Sequence, residues 1–146
     1  MNYILDKLSS NPKVTIITVC FNSEKTIKDT IESVLSQDYK NIEYIIVDAD
    51  SSDETKNIIQ QFKDKISLFI CEKDNGIYDG MNKGIKNSSG EIIGILNSDD
   101  IYSSDKVISQ VVSKLKKTNV STLYADLVFV KKDNLNKVMR YWTVSY

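Results

Sequence analysis

The chain of 146 residues is long enough to bury one hydrophobic core. Its 41% hydrophobic and 27% charged residues are the composition of a globular domain, which excludes a disordered chain and a membrane-embedded one. A net charge of −1 excludes the clustered positive charge that grips nucleic acid, and the absence of histidine removes the usual general base and the usual nitrogen ligand of zinc and iron. Any chemistry must therefore run on carboxylates, hydroxyls, amines or a bound metal.

The N-terminal stretch MNYILDKLSSNP has a short apolar patch and no basic lead, so it does not read as a signal peptide or a spanning helix. It is expected to be an extension, residues 1–12, on a single domain over 13–146, in the cytoplasm. Val14 to Cys20 is an unbroken run rich in β-branched residues, the pattern of a strand buried on both faces. Asn22-Ser23 then reads as a helix cap, with Ile27, Ile31, Val34 and Leu35 on one helical face and an end near Gln37. A second strand over Ile42 to Val47 precedes a polar turn, Asp48 to Ser52, and a helix over Asp53 to Phe62. A third strand, Ile66 to Cys71, leads through a loop to a helix over Ile77 to Lys86, stopped by Ser88-Ser89-Gly90. A fourth, Glu91 to Leu96, ends in Asn97-Ser98-Asp99-Asp100, and Ser104 opens an amphipathic helix through Val107, Ile108, Val111, Val112 and Leu115. Thr122 to Val130 and Val138 to Val144 flank the turn Lys131 to Asn136 as a hairpin. Cys20 and Cys71 each end an apolar run and read as small buried thiols without a disulfide.

Strands alternating with helices predict an α/β fold: a mostly parallel, doubly wound sheet with flanking helices and a C-terminal antiparallel hairpin. Ligands bind such sheets beyond the carboxyl ends of the strands. The sequence puts Asp48 and Asp50 after the second strand, Asp74 after the third, and Asp99 with Asp100 after the fourth. Carboxylates gathered in one crevice repel each other unless a cation neutralises them, which points to a hard divalent metal carrying a phosphate ligand. Asp53 and Asp105 read instead as helix-start residues. The amides of the first loop, Cys20 to Glu24, are placed to receive a nucleotide. Neither GxGxxG nor GxxxxGK is present, so dehydrogenase and phosphate-loop readings fall. Gly76, Gly80 and Gly84 are four residues apart, which suits close helix packing, a turn, or approach of a ligand at Gly76.

Four segments carry a resemblance to a known family: VTIITVCFNSEKTIKDTIESVLSQDY, YIIVDADSSDET, EKDNGIYDGMNKGI and ILNSDD. Together, from Lys13 to Val130, they resemble a family-two glycosyltransferase of the GT-A fold, apparently cut short after its donor-binding half. The resemblance implies that Asp48 contacts the nucleotide base and that Asp99, with Asp100, binds Mn2+ or Mg2+. It also implies that Val19, Phe21, Asn22, Glu24, Asp50, Asp74 and Ser98 line or border a UDP-sugar or other nucleotide-sugar donor, with Lys83 near the phosphates. Two positions depart from the family pattern: Asn97 stands where aspartate is common, and Ala49 where a second aspartate is common. The family's acceptor subdomain and its carboxylate base have no counterpart among the C-terminal residues, where Asp126 follows a strand start and Asp133 sits in a turn. The expected function is metal-dependent, inverting transfer of a sugar to a glycan or lipid-linked acceptor in surface polysaccharide assembly. The alternative is a catalytically silent binding or assembly domain. Self-association and peripheral membrane contact are expected partners of the uncovered surface.

Overall fold

The computed structural model describes residues 8–118, 120–131 and 134–143. Strands β1 (Val14–Cys20), β2 (Ile42–Asp48), β3 (Leu68–Cys71) and β4 (Ile92–Ile95) form one sheet in the order β3-β2-β1-β4, and every pairing in it is parallel. The connecting helices are α1 (Ile27–Leu35), α2 (Thr55–Gln60) and α3 (Ile77–Lys86), with α4 (Val107–Thr118) after β4. A separate antiparallel hairpin, β5 (Leu127–Lys131) with β6 (Asn134–Trp142), closes the described chain.

The apolar runs are unbroken because the central strands are covered twice. On one face Ile16 and Cys20 of β1 and Tyr44 and Ile46 of β2 pack with Ile27, Ile31 and Val34 of α1, Ile59 of α2, and Ile108 and Val112 of α4. On the other, Ile17, Val19, Ile45 and Val47 meet Ile70 of β3 and Met81 of α3. Each such side chain contributes roughly 1.5–3 kcal/mol by leaving water. Gly84 lets α3 approach β1, since a Cβ there would stand 2.5 Å from Ile17 Cγ2. Among the described residues no helix is long and apolar enough to cross a membrane.

Several element boundaries differ from the sequence reading, each for a local reason. Helix α1 starts at Ile27 because Asn22 holds a left-handed φ of 49° and commits its side chain to the next loop. Helix α2 is shorter than Asp53 to Phe62; Asp53 Oδ1 accepts the Thr55 N–H at 3.0 Å and so stands ahead of the helix. Ser104 likewise precedes α4, its Oγ accepting the Lys106 N–H at 3.3 Å. In the hairpin, β5 begins at Leu127 and β6 already at Asn134, so strand takes up part of the expected turn Lys131 to Asn136. Asp133 falls outside the described residues, as do 1–7 of the N-terminal extension and Val144. Cys71 is exposed, not buried, because β3 is an edge strand and its end has no cover. The thiols stand two strands apart, roughly 10 Å at normal strand spacing, too far for a disulfide.

Candidate functional site

Strand order reverses between β1 and β4, and above the carboxyl ends of the sheet lies a cavity of about 730 Å³, within the range of small-ligand sites. Every strand end contributes to it: Val19, Cys20 and Phe21 from β1, Ala49, Asp50 and Ser52 from the β2 loop, Lys73 and Asp74 from the β3 loop, and Asn97, Ser98 and Asp99 after β4, with Ile77 from α3. Phe21 is 60% exposed at this rim, an apolar face offered to a ligand.

The first two loops are laced together. The Asn22 N–H donates to Ser51 Oγ (2.8 Å), the Ser23 N–H to Thr55 Oγ1 (2.7 Å) and the Glu24 N–H to Asp53 Oδ2 (3.1 Å). In return the Ser52 N–H donates to Asn22 Oδ1 (3.0 Å) and the Glu54 N–H to Glu24 Oε2 (3.2 Å). The amides of Asn22, Ser23 and Glu24 therefore have partners within the protein. Asn22 and Glu24 build the wall of the cavity and are not among its lining residues.

Asp48 anchors this lacing from below. Its carboxylate is fully buried and accepts the Ser51 N–H (2.8 Å), the Ser51 hydroxyl (2.5 Å), and the thiols of Cys20 (3.3 Å) and Cys71 (3.5 Å). The register sets this up, because Cys20, Asp48 and Cys71 are partners across β1, β2 and β3. Burial, and next the Asp48 carboxylate, push both thiols above the ordinary range. Asp50, at a left-handed φ of 62°, is turned into the cavity and paired with Lys56 at 3.0 Å.

The acidic loop after β4 is held from α1. Thr30 Oγ1, fully buried, lies 3.0 Å from the Ser98 carbonyl and 2.9 Å from that of Asp100, and the hydroxyls of Ser23 and Ser98 meet at 2.8 Å. Sequence reading did not find Thr30, which looked like one more position on a helix. Asp99 lines the cavity, whereas Asp100 accepts from Asn97 Nδ2 at 3.1 Å and does not line it. Asn97 Oδ1 is buried without a partner, an oxygen that a bound ligand or cation would satisfy.

Among the described residues no three carboxylate or thiol side chains converge as a metal cage, so the acids do not gather as closely as their sequence positions suggested. The donors still fit a hard cation of the magnesium type, which takes one or two carboxylates and completes its shell with water and substrate phosphate. Asp99 with the free Asn97 oxygen is such a partial set.

Lys83, expected beside the phosphates, is engaged elsewhere. Its ammonium pairs with Glu72 at 3.0 Å and Asp79 at 3.5 Å and donates to the Lys73 carbonyl at 2.9 Å. The glycines divide: Gly80 and Gly84 are buried against β1, while Gly76 has open space around it and a φ of 108°.

Residues 15–145 match glycosyl transferase family 2. The chain belongs to that family. Over 123 residues it is 36% identical to the Escherichia coli protein named UDP-Glc:alpha-D-GlcNAc-diphosphoundecaprenol beta-1,3-glucosyltransferase WfgD, covering 84% of this chain and 48% of that one. Over 103 residues it is 35% identical to the putative teichuronic acid biosynthesis glycosyltransferase TuaG of Bacillus subtilis, covering 68% and 41%. Its fold matches the mannosyltransferase PcManGT of Pyrobaculum calidifontis, solved with GDP-Man and Mn2+, at a TM-score of 0.69 and 22% identity, covering 85% of this chain and 37% of that one. The fold is thus GT-A. The chain spans about half the length of the curated relatives it matches.

Proposed function

We propose that this family 2 chain holds the donor site of a glycosyltransferase that moves a sugar from a nucleoside diphosphate sugar to an acceptor hydroxyl in surface glycan assembly. The observation that carries this reading is the cavity itself, which joins an apolar rim at Val19, Phe21 and Ile77 to an acidic end at Asp99 with the unpartnered oxygen of Asn97. A nucleoside diphosphate has the same two ends, a flat base and an anionic diphosphate. Relatives with names in uridine-sugar transfer and in teichuronic acid biosynthesis support the substrate class and the setting.

In this reading Val19, Phe21, Asp50 and Ser52 receive the nucleoside, and Asp74 and Ser98 border the diphosphate and sugar. Asn22, Glu24 and Asp48 act through the lacing that fixes these walls. Asp99 and Asn97 Oδ1 would hold a divalent manganese or magnesium ion, with Asp100 beside them accepting from Asn97 Nδ2. Such an ion supplies Lewis-acid stabilisation of the departing diphosphate. Chemically, the acceptor oxygen forms a bond to the anomeric carbon as the carbon–oxygen bond to the diphosphate breaks on the opposite face, so configuration inverts. The acceptor proton passes to a carboxylate base.

Titration calorimetry of the chain with UDP, GDP, UDP-glucose and GDP-mannose, with and without Mn2+, tests the reading. At least one of these binds more tightly with Mn2+, and Asp99→Ala removes roughly ten-fold or more of that metal-dependent affinity. No heat with any of them would sink the proposal.

A further inference from the structure

A diphosphate in this cavity meets the carboxylates of Asp50, Asp74 and Asp99, and among the lining residues the only ammonium is that of Lys73. Asp50 is already balanced by Lys56. Lys83, which reaches the same loop from α3, is held in the ion pairs with Glu72 and Asp79 described above. Its third hydrogen bond matters more, because it fastens the Lys73 carbonyl. The same loop is tied at two further points: the Asn75 N–H donates to Asp79 Oδ2 (3.1 Å) and the Gly76 N–H to Asp74 Oδ1 (2.9 Å). The backbone that carries Lys73 is thus fixed from α3 and from within the loop, while the residue is exposed and stands among those that line the cavity.

A flexible stem on a fixed base suits a point charge that must find phosphate oxygens. We propose that Lys73 determines specificity for the diphosphate of the donor, its ammonium pairing with phosphate oxygens, and that Lys83 is the positioning residue that holds the Lys73 backbone at the cavity. This rests on the nucleotide-sugar reading above. The resemblance put Lys83 near the phosphates; in this reading Lys83 organises and Lys73 touches.

The test compares UDP with UMP, and GDP with GMP, by calorimetry in Mn2+ at fixed ionic strength, on the intact chain and on Lys73→Gln, Lys73→Arg and Lys83→Met. Lys73 is exposed, so its variants keep the native circular dichroism spectrum. Lys73→Gln loses roughly ten-fold or more in affinity for the diphosphate, as loss of a charge-assisted contact predicts, while monophosphate affinity stays within about two-fold. Lys73→Arg retains most of the diphosphate preference, and Lys83→Met loses part of it. A ligand that binds the unsubstituted chain and binds Lys73→Gln equally well overturns the role of Lys73 alone, as does an equal loss for diphosphate and monophosphate. Absence of binding by all four nucleotides to the unsubstituted chain overturns the donor-site reading and the Lys73 role with it.

Discussion

The parallel sheet and the C-terminal hairpin are built from the same kinds of residues and use them in opposite ways. In the sheet Ile16, Ile17 and Ile46 are completely buried, whereas in the hairpin Leu127 is 48%, Tyr141 69% and Trp142 57% exposed. An apolar run therefore specifies a strand without specifying what covers it. A lone two-stranded hairpin is marginal in water, so the stability of this chain resides in the sheet and the helices on its two faces. The site depends on the same part: its loops leave the strands of this sheet and are held by Asp48, Thr30 and Lys83.

The largest expected effect comes from the covered side of this contrast. Ile31→Ala removes a fully buried side chain from the α1 face and costs about 2–5 kcal/mol. Leu135→Ala and Trp142→Ala in the hairpin cost less than about 1 kcal/mol, since both residues are already more than half exposed. Urea unfolding of the three variants measures the difference. A hairpin variant as costly as Ile31→Ala would show that these side chains are covered in solution, for example by a second copy.

A smaller effect tests the other face of the sheet. Gly84→Ala places a methyl group against Ile17 and costs about 1–3 kcal/mol, with α3 pushed off β1. Because α3 also carries Lys83, nucleotide affinity falls along with the unfolding midpoint. An unchanged midpoint would mean that α3 is not packed against β1 as described.

The sequence showed the sheet because a strand covered on both faces leaves an unbroken apolar run, and the runs at Val14 and Ile42 are of that kind, whereas the run at Glu91 forms an edge strand with Ile93 and Ile95 half exposed. It also showed which loops form the cavity, since strand ends in a parallel sheet face one way, and Phe21, Asp50, Asp74, Ser98 and Asp99 all line or border it. Which side chain in a loop faces the ligand was not legible. Asp48 and Asp50 differ by two positions in sequence, yet one is buried under Ser51 and two thiols and the other is turned outward by a left-handed backbone. The Asp79–Lys83 pair was readable as an i, i+4 contact on a helix. The Glu72 partner and the grip on the Lys73 carbonyl come from folding the loop back on α3, and no local pattern announces them.

The two cysteines repeat the contrast between covered and uncovered at the scale of single atoms. Both thiols touch the Asp48 carboxylate, but Cys20 lies inside the sheet and Cys71 at its open edge. Burial, and then the Asp48 carboxylate, raise the Cys71 thiol above the ordinary range, so at a given pH less of it is thiolate than in the unfolded chain. The sign for stability follows: a thiol raised on folding adds stability that is present below the unfolded value, about 8.5, and is lost as pH rises through the folded value. Iodoacetamide labelling followed by mass spectrometry from pH 7 to 10 reads both cysteines. Cys71 of the native chain reacts more slowly than in the urea-unfolded chain, with an inflection at higher pH, while Cys20 stays unlabelled until the protein unfolds. If Cys71 instead reacts at the unfolded rate, its thiol does not rest on Asp48, and the anchor beneath the first two loops is looser than these hydrogen bonds indicate.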